Sequence, residues 1–254
     1  MGAGVAAWFG AARAPQQQRL VPRLIAVGLA LTALGDVLWT FLDGRGAYTD
    51  VSIADPPWFA SYVVLCAAMW IVLKRSRGGG RIDLGFAIDV VTIVIVSVLI
   101  FWSFSVDAII ADASVTPFVR AVWATYPIAD AVLLALVVRV LMSPTARASI
   151  DVWFALGVCL WLAADTAYLL APDGPAQIFM DISWMVAPVL MARAAWRSSD
   201  VPTNRLASRA LGGWGAQMTI AVAPLLVPPA LELTADLRGE PDRPMELLLS
   251  LIHI

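Results

Sequence analysis

Apolar residues run along this chain in long blocks, separated by short stretches that hold most of the charge and most of the turn-forming residues. A helix needs about 20 mostly apolar residues to cross the hydrocarbon core of a bilayer. Seven blocks suit that length, at 20–42, 57–73, 84–104, 117–141, 150–170, 177–196 and 211–231. The pattern therefore predicts an all-α fold, a polytopic transmembrane helix bundle of seven spans with the start of a truncated eighth. Pro224, Pro228 and Pro229 weaken the seventh block, because each removes a backbone N–H and crowds the preceding turn.

Three regions follow. Residues 1–19 read as a cytoplasmic segment or the stub of an upstream helix, 20–231 as the bundle, and 232–254 as an outer loop with the truncated eighth helix. The A-x-A pattern at Ala12 to Ala14 follows no basic segment and only a short apolar one, which argues against a cleaved signal peptide. The final run, "MELLLSLIHI" from Met245, is too short to cross a bilayer and would leave backbone carbonyls unpaired in lipid. Its end also resembles the peptide read from a sequencing adapter. The expectation is a native chain that departs from this one at about Leu249 and completes an eighth span.

Composition agrees with the pattern: 60% of the 254 residues are hydrophobic and 14% charged. Water-soluble domains carry about 25% charged residues. Charge also orients the chain, since loops rich in Arg and Lys stay on the cytoplasmic side. Of the 17 basic residues, Arg13, Arg19, Arg23, Lys74, Arg75, Arg77, Arg81, Arg139, Arg147, Arg193, Arg197, Arg205 and Arg209 fall on one side. Only Arg45, Arg120, Arg238 and Arg243 fall on the other, together with Asp43, Asp50, Asp55, Asp107, Asp112 and Asp173. The amino end is expected inside, in a bacterial plasma membrane. All but one of the basic residues are Arg, a usage that suits a GC-rich genome such as an actinomycete's.

Five aspartates lie inside the blocks: Asp36, Asp89, Asp130, Asp165 and Asp181. Each costs about 2.5–3.5 kcal/mol at the centre of a membrane helix and less near its ends. Three share the spacing Asp-x-x-aromatic, as Asp36 with Trp39, Asp165 with Tyr168 and Asp181 with Trp184. Residues three or four apart share a helix face, so Thr32, Asp36, Thr40 and Asp43 form one polar stripe and Trp123, Tyr126 and Asp130 another. In one reading these acids are protonated or hydrogen-bonded to Thr, Tyr, Trp or Arg120 and merely hold helices together. In the other, they converge on an outward-facing pocket for a small polar or cationic ligand, formed from Asp36, Trp39, Arg120, Tyr126, Asp130, Asp165, Tyr168, Asp181 and Trp184.

Other chemistry is poorly supplied. His253 is the only histidine, so no His-rich metal or haem site and no Ser-His-Asp triad is expected. The glycines of "RGGGR" at 77–81 lack a phosphate-loop pattern and read as a basic turn. Cys66 and Cys159 sit in apolar runs and read as packing residues, with neither disulfide nor zinc spacing. No cofactor, metal site or nucleic-acid partner is expected.

The stretches "LGDVLW" at 34–39, "DPPWFASYVVL" at 55–65, "IDLGFAIDVVTI" at 82–93, "YPIADAVLLALVVRVLMS" at 126–143, "AADTAYLL" at 163–170 and "DISWMVAPVLMARAA" at 181–195 occur in one order with similar gaps in a known family. The chain resembles the multi-helix membrane region at the amino end of actinobacterial proteins carrying GGDEF and EAL domains, which make and degrade cyclic-di-GMP. The resemblance implies a sensory input region that relays a signal through its last helix to paired output domains, hence a homodimer. Neither GGDEF nor EAL sequence is present, so the chain itself is expected not to be an enzyme. The alternative is a transporter or permease that uses the intramembrane acids for proton or cation coupling.

Overall fold

The computed structural model describes residues 2–47, 49–76, 84–147, 150, 152–170 and 176–197, and their regular structure is helical throughout, with no strand among them. A short helix α1 (Gly2–Arg13) precedes α2 (Leu20–Asp43) and α3 (Asp55–Ser76). Then come α4 (Leu84–Phe101), a π-helical turn (Trp102–Val106) and its continuation α5 (Asp107–Ala111). The chain goes on through α6 (Pro117–Met142), the single turn α7 (Pro144–Arg147), α8 (Val152–Leu170) and α9 (Ala176–Arg197). The predicted blocks up to residue 196 thus each coincide with a helix, within a few residues, whereas 211–231 and the run from Met245 lie outside the described residues.

Local sequence sets the helix ends. Thr116 accepts a hydrogen bond from the Val119 N–H and Pro117 takes the first helical position of α6, where its missing N–H costs nothing. Before α3, Asp55 accepts from the Ser52 N–H (2.6 Å) while the Ser52 hydroxyl accepts from the Ala54 N–H (3.1 Å), a reciprocal capping arrangement. After α2 the chain turns at Gly46, whose φ of +65° is a left-handed conformation that glycine adopts without strain.

Helices α2, α3, α6, α8 and α9 form a closed ring in which each packs on the next and α9 returns to α2. Helix α4 packs on α6, and α1 lies across α2 and α9. Leu65, Met69, Leu133, Phe154, Val158 and Met191 fill the centre of the core. On α9, Ile178, Ile182, Met185 and Val189 recur at helical spacing and all face outward, at 56–75% exposure. Outward apolar faces are what lipid contact requires. Four helices, at Leu20–Asp43, Asp55–Ser76, Pro117–Met142 and Gln177–Trp196, are long and apolar enough to cross a membrane, and two shorter apolar helices, Val90–Phe101 and Val152–Asp165, accompany them.

Small residues bring the ring together where it is tightest. A Cβ on Gly157 of α8 would lie 2.8 Å from the backbone oxygen of Ala187 on α9, which cannot swing aside as a side chain can. Gly157→Ala should therefore lower stability by about 1–3 kcal/mol through overpacking. Unfolding of the variant in mixed micelles, read by circular dichroism, measures this; unchanged stability would show that α8 and α9 do not pack this closely.

Candidate functional site: a buried acid and phenol cluster

Trp123, Tyr126 and Asp130 form one stripe on α6, and the segment opposite meets it rung by rung. The Trp123 indole donates to the Asp50 carbonyl (3.0 Å), the Tyr126 hydroxyl donates to Oδ1 of Asp55 (2.5 Å), and the Tyr62 hydroxyl lies 2.6 Å from Oδ1 of Asp130. The partners are 73, 71 and 68 residues apart, a nearly constant offset that makes α3 and α6 run in the same direction. Phe59 reinforces the middle rung, its ring centroid 4.5 Å from that of Tyr126.

The lowest rung is also where the ring closes. Tyr62 lies 3.1 Å from Oδ2 of Asp165 on α8, and the Trp184 indole of α9 donates to Oδ1 of the same carboxyl (2.6 Å). Trp161 also hydrogen-bonds to Asp165, and its ring centroid stands 5.9 Å from that of Tyr62. Asp130 is 1% exposed and Tyr62 5%. A single polar cluster therefore joins α3, α6, α8 and α9, with the buried hydroxyls of Ser61 and Ser183 on the neighbouring positions of α3 and α9.

The remaining residues expected to share a pocket divide into three groups. Tyr126 and Trp184 belong to the cluster, and Tyr168, itself exposed, packs on Trp184 with centroids 5.9 Å apart. Asp36 is exposed and accepts from the Trp58 indole (3.1 Å), joining α2 to α3, while Trp39 packs on the same indole at 6.1 Å. Gly35 makes room for Trp58, whose ring a Cβ there would strike. With Ala33, Val37, Thr40 and Phe41, Asp36 lines a shallow recess of about 360 Å³ on the surface of α2. Asp181 is exposed on α9, and Arg120 donates to the Ile110 carbonyl (2.8 Å) at the junction of α5 and α6. So Asp130 and Asp165 meet, and Asp36 and Asp181 do not join them.

Two participants escaped the sequence reading. Tyr62 carries no pattern of its own in the apolar run at 57–73, although it stands seven residues after Asp55 and so on the same face. Asp55 was assigned to an outer loop, whereas it is buried at the start of α3; the S-x-x-D spacing from Ser52 was the available signal. Of the two cysteines, Cys66 packs against the core and Cys159 is exposed. Among the described residues, no group of three or more His, Cys, Asp or Glu could hold a metal ion. In the loop before α6, the Ser114 hydroxyl (2.6 Å) and N–H (2.8 Å) both donate to Asp112, which holds this exposed carboxyl below the usual range.

No protein-family model, curated protein or solved structure matches the chain.

Proposed function

We propose that this chain is the membrane-embedded input region of a bacterial cyclic-di-GMP signalling protein. In this reading α2, α3, α4 with its π turn, α6, α8 and α9 each cross the bilayer, residues 211–231 supply a seventh span, and the amino end is cytoplasmic. The observation that carries the proposal is the cluster itself: one phenol, two carboxyls and the Trp184 indole tie four helices of a ring, so a change at one point bears on every helix that packs there. Such a shared element is what a signal needs in order to bias two packings of one bundle. The ordered sequence resemblance gives the output its chemistry.

In cells carrying the gene at its own locus, Asp165→Asn should change the cyclic-di-GMP level by about 5-fold or more, the lower end of ordinary coupling between sites. Mass spectrometry of cell extracts reads it. An unchanged level, with the variant present in the membrane in normal amount, would remove the sensory reading. The paired buried acids also favour a second function, proton-coupled transport, since intramembrane acids often mark ion paths. Proton flux into liposomes holding the purified chain distinguishes the two.

A further inference from the structure

The Tyr62 hydroxyl stands within hydrogen-bond distance of two carboxyl oxygens, 2.6 Å from Asp130 and 3.1 Å from Asp165, yet a phenol carries one hydrogen. Two carboxylates would bring none, so two contacts are one hydrogen short. Asp165 already accepts from the indoles of Trp184 and Trp161. Asp130 has no such donors among the hydrogen bonds described above. The arrangement that satisfies every atom has the acid O–H of Asp130 donating to the phenol oxygen while the phenol O–H donates to Asp165.

We propose that Tyr62, Asp130 and Asp165 hold one exchangeable proton between them, and that its loss drives α3 and α6 away from α8 and α9. The balance is simple. The Asp130 O–H bond breaks, its proton passes to the phenol oxygen as the phenol hydrogen passes to Asp165, and Asp165 releases a proton to water. Two anionic carboxylates then face each other across one phenol in an apolar core, where like charges repel far more strongly than in water. Helix α6 carries one and α8 the other, so the repulsion acts across that contact of the ring.

The described groups that face the pair carry no positive charge to offset it. Facing the pair are Tyr62 and, through Tyr126, Asp55 from the α3 and α6 side, and the neutral indoles of Trp161 on α8 and Trp184 on α9. Asp36 of α2 engages Trp58 instead, and Arg120 and Arg139 are more than two turns from Asp130 along α6. The proton and the movement stand independently of the signalling proposal, and only the step from movement to output rests on it.

Infrared spectroscopy of the 254-residue chain in lipid nanodiscs tests the first part. One protonated-carboxyl stretch should be present at neutral pH, should shift in D₂O, and should vanish as pH rises. It should be lost in Asp130→Asn or Asp165→Asn and kept in Asp36→Asn. Absence of the band, or its survival in both of the first two variants, overturns the proposal. Spin labels at Phe118→Cys and Ile178→Cys, in a background with Cys66→Ala and Cys159→Ala, test the second. Their separation should lengthen across the pH range in which the band disappears and stay constant in Asp130→Asn; a constant separation in the otherwise unaltered chain overturns the switch. Tyr62→Phe retains both carboxyls, so if the asparagine variants fail to fold, a band at changed frequency in Tyr62→Phe supports the shared proton and an unchanged band refutes it. A proton and a movement that leave cyclic-di-GMP unaffected would count against the signalling reading alone.

Discussion

Tyr62→Phe should lower the unfolding free energy of the bundle by about 1–3 kcal/mol, more than one ordinary hydrogen bond contributes, because the loss falls on groups that stay buried. Removing the hydroxyl takes a partner from Asp130, which is 1% exposed, and from Asp165 at the same time. A second substitution separates that penalty from the bond itself. In Tyr62→Phe with Asp130→Leu the stranded carboxyl is gone and an apolar side chain of similar size takes its place, so much of the loss should return. Unfolding of both single variants and the double variant in mixed micelles gives the coupling energy of the pair directly. If the double variant is as unstable as the sum of the singles, Tyr62 and Asp130 act independently, and the cluster is not the tie between helices that its distances imply.

The helices were legible in the sequence because long apolar blocks bounded by charged and turn-forming residues leave few other ways to pair their backbone groups. Leu20–Asp43 and Pro117–Met142 fall within a residue or two of the blocks expected from hydropathy. The ends of α3 and α4 were less legible, for particular reasons. Helix α3 begins at Asp55, earlier than its apolar block, since the Ser52–Asp55 cap extends a helix into polar sequence. Helix α4 runs on through a π turn to Ala111, and a π turn leaves no periodic trace in residue type.

The acids show where single-chain patterning stops. Asp-x-x-aromatic spacing keeps Asp36 and Trp39 together but parts Asp181, exposed on α9, from Trp184; spacing along one helix does not say which helix each side chain meets. Trp184 reaches Asp165 from another helix, whereas Trp39 and Asp36 both turn to Trp58, admitted by Gly35. The shared Asp-x-x-aromatic spacing grouped Asp36, Asp165 and Asp181. Ring order decides instead: α6 lies between α3 and α8, so the stripe on α6 collects Tyr62 and Asp165, and Asp181 faces away.

Trp196→Ala should release α1 from the bundle. The Trp196 indole at the end of α9 donates to the Ala6 carbonyl (2.7 Å), its ring lies against Gly10 where a Cβ would approach to 2.6 Å, and the Arg13 guanidinium stands 4.3 Å above it. One side chain thus supplies a hydrogen bond, a close-packed face and a cation–π contact, and truncating it, being half-buried, should cost less than the about 3–5 kcal/mol of a fully buried tryptophan. Helix α1 is twelve residues long, and helices of that length are marginal on their own. Its hold on α2 persists through Gly4, which approaches the backbone of Ala30, so the expected outcome is local opening with the ring intact. A cysteine at Ala11, fully buried in the parent chain, reads that opening. In a background with Cys66→Ala and Cys159→Ala, it should resist a maleimide when Trp196 is present and react readily when it is not. Equal protection in both would mean that α2 alone holds α1, and that α9 can move without it.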